Sequence, residues 1–307
     1  MPIRSTSLFH YTTGGLPAIK GILETGFRIS YNKEINPQII GHFGNSDGLG
    51  MVFAPGNVGV NYQGIRYQHI PMVCFCDIRL SAISDHLKTY GFDAGDNIKR
   101  AYAIGLTKTW GQKNGLNPIL YLVPGSDLST QMASAIQYAP GNYDQFENGR
   151  QAEIYSPPRS MGDGYIKEDN NGNKFPLTYL YSKVIERVQL QGFGPSEKFT
   201  NNYQDEKEWR YIPKDASIID HYEWNASTSN RFLYDTMRTN ALKAIGEAKY
   251  PNLTFNHSDI AHIIVSNDDE VLEVHEVLDK KFSNLSPKER SLLFSKVNSF
   301  ESMSRDW

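Results

Sequence analysis

The sequence predicts a single α+β domain, because short strand patterns and amphipathic helix patterns follow one another with no linker or internal repeat between them. Its 307 residues are enough to bury a substantial core. A hydrophobic content of 39% and an aromatic content of 12% are typical of a folded globular protein. We expect the domain to span residues 1–307, with loop insertions near 36–70 and 139–175 and a C-terminal helical extension at 268–307.

The N-terminal elements are a strand, a short helix and a second extended segment. Residues 7–12 are apolar, aromatic and β-branched around a central His10, which predicts a strand. Leu16, Ile19 and Leu23 recur at helical spacing and predict a short helix. Gly26 fits the position after its last turn, where a left-handed conformation costs glycine little.

The same rules assign the rest of the chain. Strands are expected at 48–54, 72–78, 102–107, 118–123, 206–212 and 260–265, and helices at 81–90, 128–138, 230–248 and 268–282; the segment 177–190 fits either. A capping box at Ser286-Pro287-Lys288-Glu289 begins a last helix, whose apolar stripe is Leu292, Leu293 and Val297.

The segment Glu206-Lys207-Glu208-Trp209-Arg210-Tyr211 carries the strongest chemical signal. Strand side chains alternate between faces, so Glu206, Glu208 and Arg210 are expected on one face. Two carboxylates on one face can divide a reaction, since one stabilises a cation while the other orients or deprotonates a nucleophile. The plainer interpretation is an edge strand whose acids pair with Arg210.

Composition and missing motifs weaken the case for several other classes of protein. A net charge of −3 gives no overall attraction to nucleic acid or to an anionic membrane. Two cysteines, Cys74 and Cys76, and no apolar leader favour a reducing, cytoplasmic setting, and no run of about 20 apolar residues predicts a membrane span. Phosphate-loop, dinucleotide-loop and His-Glu-x-x-His motifs are missing from the sequence, and we expect no metal site.

Two stretches resemble the ADP-ribosyltransferases. His10-Tyr11-Thr12 and residues 21–29 are similar to the NAD-binding opening that poly-ADP-ribose polymerases and DarT-type toxins share, and 206–211 resembles an acidic catalytic strand. The resemblance implies a split β-sheet core with peripheral helices and NAD as a substrate. Where polymerase-like relatives carry a stacking tyrosine, this chain has Cys74, or Val52 in the other candidate strand.

The resemblance also implies residue roles. Glu208 would stabilise the oxocarbenium-like cation formed when the bond between nicotinamide and ribose breaks, and Glu206 would orient or deprotonate the acceptor. His10 would bind a ribose hydroxyl. The family fold places its first strand beside the acidic strand, so His10, Glu206 and Glu208 are expected to meet at one cleft.

The expected cofactor-binding residues extend this set along the chain. They are His10, Tyr11, Thr12 at the nicotinamide end, Arg28 for the pyrophosphate, and Tyr31 and Phe75 as stacking surfaces. Each has a plainer interpretation: a strand histidine that bonds a backbone carbonyl, a solvated arginine, or core aromatic residues.

A second resemblance covers most of the chain. Residues 71–78, 104–111, 117–121 and 206–211, with His86, Tyr90 and Gly91 between the first two blocks, are similar in order to the AbiGi family of bacterial abortive-infection proteins. This resemblance implies a part in anti-phage defence and a function as an antitoxin. Within these blocks we assign His86, Tyr90 and Trp110 to the scaffold.

Three functions follow from these patterns. The first is an NAD-dependent ADP-ribosyltransferase toxin or effector of abortive infection, which modifies an intracellular protein or nucleic acid and has a cognate antitoxin. The second is a non-catalytic antitoxin that binds a partner toxin, with Glu206, Glu208 and Arg210 as a structural or interface ion-pair set. The third is a carboxylate-pair glycosidase or nucleosidase.

Overall fold

A computed structural model describes residues 5–35, 64–83, 92–93, 99–100, 102–123, 126–128, 166–168, 174–176, 181–184, 207–224 and 231–305. Its strands are β1 (Ser7–Tyr11), β2 (Ser30–Ile35), β3 (Gly64–Cys76), β4 (Phe92–Asp93), β5 (Lys99–Arg100), β6 (Ala103–Thr107), β7 (Asn117–Pro118), β8 (Leu120–Leu122), β9 (Ile166–Glu168), β10 (Lys174–Pro176), β11 (Ser182–Val184), β12 (Glu208–Tyr211), β13 (Ile219–Trp224), β14 (Ile260–Val265) and β15 (Val297–Ser299). The helices are α1 (Gly15–Thr25), α2 (Lys108–Lys113), α3 (Arg231–Glu247), α4 (Asp269–Lys281), α5 (Pro287–Phe294) and α6 (Phe300–Arg305).

The described strands form one large sheet and three small ones. The large sheet has nine strands in the order β15-β14-β6-β1-β3-β12-β7, with β2 and β13 also paired to β3. All its pairs are antiparallel except β14 with β15. A separate parallel pair, β8 with β11, lies beside β12. The α+β class is confirmed.

Strand β3 is the axis of the sheet, and it curves. Glu34 of β2 lies opposite Gln68, and Arg210 of β12 lies opposite Cys74. Six residues of straight strand span about 20 Å, which is farther than an arginine and a glutamate side chain reach together. Arg210 Nη2 nevertheless lies 2.9 Å from Glu34 Oε1. We infer that β3 bends between these two positions, where Pro71 interrupts the run of backbone donors.

Both faces of the sheet are covered. On one face Leu8, Phe75, Ile104 and their neighbours pack with α1, α4 and the indole of Trp110, which is buried as the sequence predicted. On the other face Phe9, Ala103 and Ile264 pack with Ile78 and Ile83, while Ile70 and Met72 form a separate cluster with residues 212–218.

Local patterns located several elements correctly. The strand β1, the helices α1, α3 and α4, and the strands β6 and β14 lie where they were expected. The capping box at Ser286 is present, with Ser286 Oγ accepting from the Glu289 amide and Glu289 Oε2 accepting from the Ser286 amide. Helix α1 buries Ile19 and Leu23, and it ends at Gly26 with φ 91° and ψ 178°, which is a glycine conformation but not the left-handed helical one expected.

Other expectations were wrong. Residues 64–70 belong to β3 and not to a loop insertion. The C-terminal extension is not purely helical, because Val297 begins β15 and does not continue the stripe of the last helix; Leu292 is exposed while Leu293 is buried. Segment 177–190, which fitted a helix or a strand, contains the strand β11. The expected strand at 48–54 and most of the helix at 128–138 lie outside the described residues.

Candidate functional site

The centre of the candidate site is an ion network on β12, which we define as Glu34, Lys183, Glu208 and Arg210. Arg210 is fully buried and Glu208 is 4% exposed. Arg210 Nε donates to Glu208 Oε1 at 2.6 Å, and Lys183 Nζ donates to Glu208 Oε2 at 3.0 Å. Arg210 Nη2 donates to Glu34 Oε1 at 2.9 Å. The network therefore joins β2, β11 and β12 and balances two cations with two anions.

The electrostatics keep Glu208 ionised. Burial by itself would raise the pKa of Glu208, but the charges of Arg210 and Lys183 outweigh it and lower the pKa to about 2. Burial likewise opposes the charge of Arg210, yet Glu34 and Glu208 raise its pKa above the usual value. Because both oxygens of Glu208 already accept from cations, this carboxylate is arranged as a partner in a buried ion pair.

Main-chain bonds of Glu208 add to this anchoring. Its amide donates to Tyr121 Oη at 2.8 Å, and its carbonyl accepts from the Ile119 amide at 3.0 Å. Glu208 thus bonds to the segment that carries β7 and β8 through its amide and carbonyl, and to β11 through its side chain. The residue joins the edge of the large sheet to the small parallel sheet.

The start of β12 removes the strand alternation from which Glu206 and Glu208 were expected to share a face. Strand β12 begins at Glu208, and Lys207 has a φ of 46°. A left-handed residue is not extended, so the two-residue alternation of a strand does not hold across Lys207. Glu206 itself lies outside the described residues.

His10 occupies a different environment. Its Nδ1 lies 2.9 Å from the carbonyl oxygen of Cys74, which can only accept, so Nδ1 carries the proton of this bond. The ring packs edge-on against Phe27 at 5.1 Å and tilts against Phe75 at 5.6 Å. Burial lowers the pKa of His10, and the bond to Cys74 opposes that shift.

The sheet register separates His10 from Glu208. Phe9 and Glu208 both lie opposite Cys76, one from each side of β3, so all three share a face. His10 follows Phe9 and therefore belongs to the other face. The expectation that His10 and Glu208 meet at one cleft is wrong, because β3 lies between their strands and their side chains leave opposite sides of the sheet.

The other expected cofactor residues make separate contacts of their own. Tyr11 shares the face of Phe9, Thr12 Oγ1 accepts from the Gly14 amide, and Arg28 is exposed. Tyr31 Oη donates to the Ser217 carbonyl and lies 3.1 Å from Tyr250 Oη, and Phe75 is fully buried between Phe27 and Trp110. These contacts fit the plainer interpretation of each residue, and a part in NAD binding stays a prediction.

Two members of the ion network, Glu34 and Lys183, were not predicted from the sequence. Glu34 and Lys183 lie 176 and 25 residues from their network partners. No local pattern marks either one, because only the curvature of β3 and the position of β11 bring them to β12.

The described part of the chain has neither a candidate metal centre nor a helix that could span a membrane. No group of three or more His, Cys, Asp or Glu side chains there could hold a metal ion. Among the described helices, none has the length and apolar character needed to cross a membrane.

Comparison with known proteins identifies the family. A family model described as "Putative abortive phage resistance protein AbiGi, antitoxin" matches residues 57–266, more than half of the chain. The abortive phage resistance protein AbiGi of Lactococcus lactis subsp. cremoris is 25% identical over 256 residues, which cover 79% of this chain and 91% of that protein. No solved structure matches the chain. The family match over these residues shows that the chain belongs to the AbiGi family of abortive phage resistance proteins.

Proposed function

We propose that this chain acts in abortive phage resistance as a non-catalytic antitoxin, a protein that binds a partner toxin and restrains it. The description of the family as an antitoxin supports this proposal. The observation that carries it is the state of Glu208, whose two carboxylate oxygens are bound by Arg210 and Lys183 inside the fold. A group held in this way stabilises the scaffold that a binding protein needs.

The alternative is an NAD-dependent ADP-ribosyltransferase. That chemistry needs a carboxylate and a ribose-binding group at the same sugar, within hydrogen-bond reach or one water of it. The register of β1, β3 and β12 directs His10 and Glu208 to opposite faces. The geometry therefore favours the antitoxin, and a transferase would need a different pair of residues.

Expression in bacteria separates the two functions. We expect the wild-type chain, produced alone, to leave growth unchanged, and Glu208→Gln to behave in the same way. In the native host, deletion of the gene should slow growth by releasing the toxin, and a plasmid copy should restore it. Glu276→Gln, at an exposed position on α4, is the matched control for loss of one carboxylate.

Two results would contradict the proposal. One is growth inhibition by the wild-type chain alone that Glu208→Gln relieves and Glu276→Gln does not, which is the behaviour of a transferase. The other is a deletion strain whose growth is unaffected while phage resistance is lost, since an antitoxin must restrain something in the uninfected cell.

A further inference from the structure

The large sheet contains a seam, which we define as the boundary between β1 and β3. Strand β1 pairs with β6 at all five of its residues, from Ser7↔Thr107 to Tyr11↔Ala103. With β3 it pairs only at Phe9↔Cys76. A continued antiparallel ladder would next place Tyr11 opposite Cys74, and the structure records no such pair.

A side chain of β1 bonds to the backbone of β3 next to this pair. The Cys74 carbonyl, which faces β1, accepts from His10 Nδ1 at 2.9 Å. After β1, the Thr12 amide donates to the Tyr102 carbonyl at 3.0 Å, which continues the register of β1 with β6 by one residue. Beyond the Phe9–Cys76 pair, the His10–Cys74 bond joins β1 to β3 through a side chain.

The groups around this bond are apolar. The ring contacts Phe27, in the segment after α1, and Phe75 of β3. Ile104 of β6 lies opposite His10 in the sheet register. The charged side chains of α1 point elsewhere, since Lys20 pairs with Glu273 of α4 and Glu24 is exposed.

Titratable groups lie on both faces of the sheet near the seam. On the face of His10, Tyr102 Oη donates to Glu270 Oε1 of α4 at 2.8 Å, and Tyr211 packs against the same apolar cluster. Cys74 and Tyr11 occupy the face opposite His10, as do Glu208 and Arg210 of β12. The carboxylate of Glu270 accepts from Tyr102 Oη and from the Ser266 amide, and the causes of the pKa shift of His10 are burial and the bond to Cys74, with no charged group among them.

We propose that His10 is a proton-sensitive staple of this seam: its neutral imidazole holds β1 to β3, and a second proton on the ring loosens the strand and the helix α1 that follows it. An imidazolium in aromatic and aliphatic surroundings lacks a counter-ion, whereas the opened seam exposes the ring to water.

The sign of the pH dependence follows from this difference. Burial lowers the pKa of His10 below its usual value of 6.5, so the open form binds the proton more tightly. The His10–Cys74 bond contributes its full stability to the seam above pH 6.5. This contribution falls as the pH falls, until the ring of the closed form is also protonated. Within that window, opening should rise by up to about tenfold for each pH unit.

Solution NMR and hydrogen exchange on the full chain test the proposal. We expect the His10 ring to be the Nδ1–H tautomer with a midpoint below 6.5, and the amides of β1 and of residues 74–76 to exchange faster below that pH, after correction for intrinsic rates. His10→Gln keeps an amide donor that does not titrate, so its seam exchange should lose the pH dependence. His10→Phe keeps an aromatic ring without a donor and should show a seam that is open at every pH.

His262 provides the matched control. It stacks on Phe9, and burial followed by the charge of Lys296 lowers its pKa as well. His262→Gln should leave the pH dependence at the seam intact. The proposal is overturned if His10 titrates at or above 6.5, or if the seam keeps its pH dependence in His10→Gln. If a variant does not fold, the wild-type His10 midpoint together with the exchange profile gives the answer.

Discussion

At the scale of single residues, the ion network shows what a sequence pattern can and cannot predict. Glu208 pairs with Arg210, as the plainer interpretation of the segment expected. The partnership of Glu206 and Glu208 was inferred from strand alternation, and the left-handed Lys207 removes that premise. A positive φ at a lysine costs free energy that only tertiary contacts repay, such as the bond from the Asp77 amide to the Lys207 carbonyl. No local rule predicts it.

Removal of Arg210 should be among the most destabilising single changes in the chain. Arg210→Ala leaves Glu208 buried without its closest cation. It also removes the guanidinium that donates a hydrogen bond to Glu34. Breaking a buried ion pair on one side typically costs about 3–5 kcal/mol of unfolding free energy. Urea unfolding followed by circular dichroism measures the loss.

The control is an ion pair of similar chemistry on the surface. Arg305 pairs with Glu301 one helical turn away, and both side chains are largely in solvent. Arg305→Ala should cost no more than about 0.5 kcal/mol. Equal costs for the two variants would contradict a buried network. Because the pKa of Glu208 is lowered to about 2, its contribution should be complete above about 4.5 and lost as the pH falls through 2.

At the scale of elements, local patterns predicted position better than boundaries. Helix α1 could be predicted because Ile19 and Leu23 repeat at the helical period, and α5 because its capping box is entirely local. Strand β15 could not, because Val297 continues an apolar spacing that also suits a helix and becomes a strand only by pairing with Ile263. Pairing partners of this kind are distant in sequence, so the periodicity of a local window does not predict them.

Two glycines with positive φ should differ in the free energy that an added Cβ costs. Gly26 ends α1 at φ 91°, and a Cβ there would lie 2.7 Å from the Leu253 carbonyl oxygen. Gly115 has φ 77° and nothing within 4 Å of such a Cβ. Gly115→Ala should cost about 1 kcal/mol of unfolding free energy for the positive φ. Gly26→Ala should cost at least about 1 kcal/mol more, because the bridge between Phe27 and Leu253 must also move.

Chemical unfolding of both variants beside the wild type decides the comparison. A larger loss in Gly26→Ala is expected from the glycine-only backbone angles of Gly26 together with the contact at Leu253. Equal losses would mean that the Leu253 segment moves aside freely, and that the bridge contributes little to the position of α1.

At the scale of the whole molecule, the order β1-β3-β12 has the greatest consequence for function. The resemblance to ADP-ribosyltransferases predicted the first strand beside the acidic strand, and the structure instead has β3 between them. The residues of the opening block were located correctly along the chain, yet the register of β3 determines which face each side chain uses. Strand order is a property of the complete sheet, which is why two short motifs could not establish a shared site.

The strand order leads to a prediction about NAD. Ligand that binds only the folded chain stabilises it by RT ln(1 + [L]/Kd), which is about 2.7 kcal/mol when the ligand is at 100 times its Kd. For a chain of this size that would raise Tm by several degrees. We expect no such rise with NAD up to millimolar concentration, because His10 and Glu208 cannot reach one ribose from opposite faces. ADP-ribose, which lacks nicotinamide, serves as the comparison ligand. A saturable increase with NAD that His10→Gln or Glu208→Gln abolishes would reverse this conclusion and place the transferase ahead of the antitoxin.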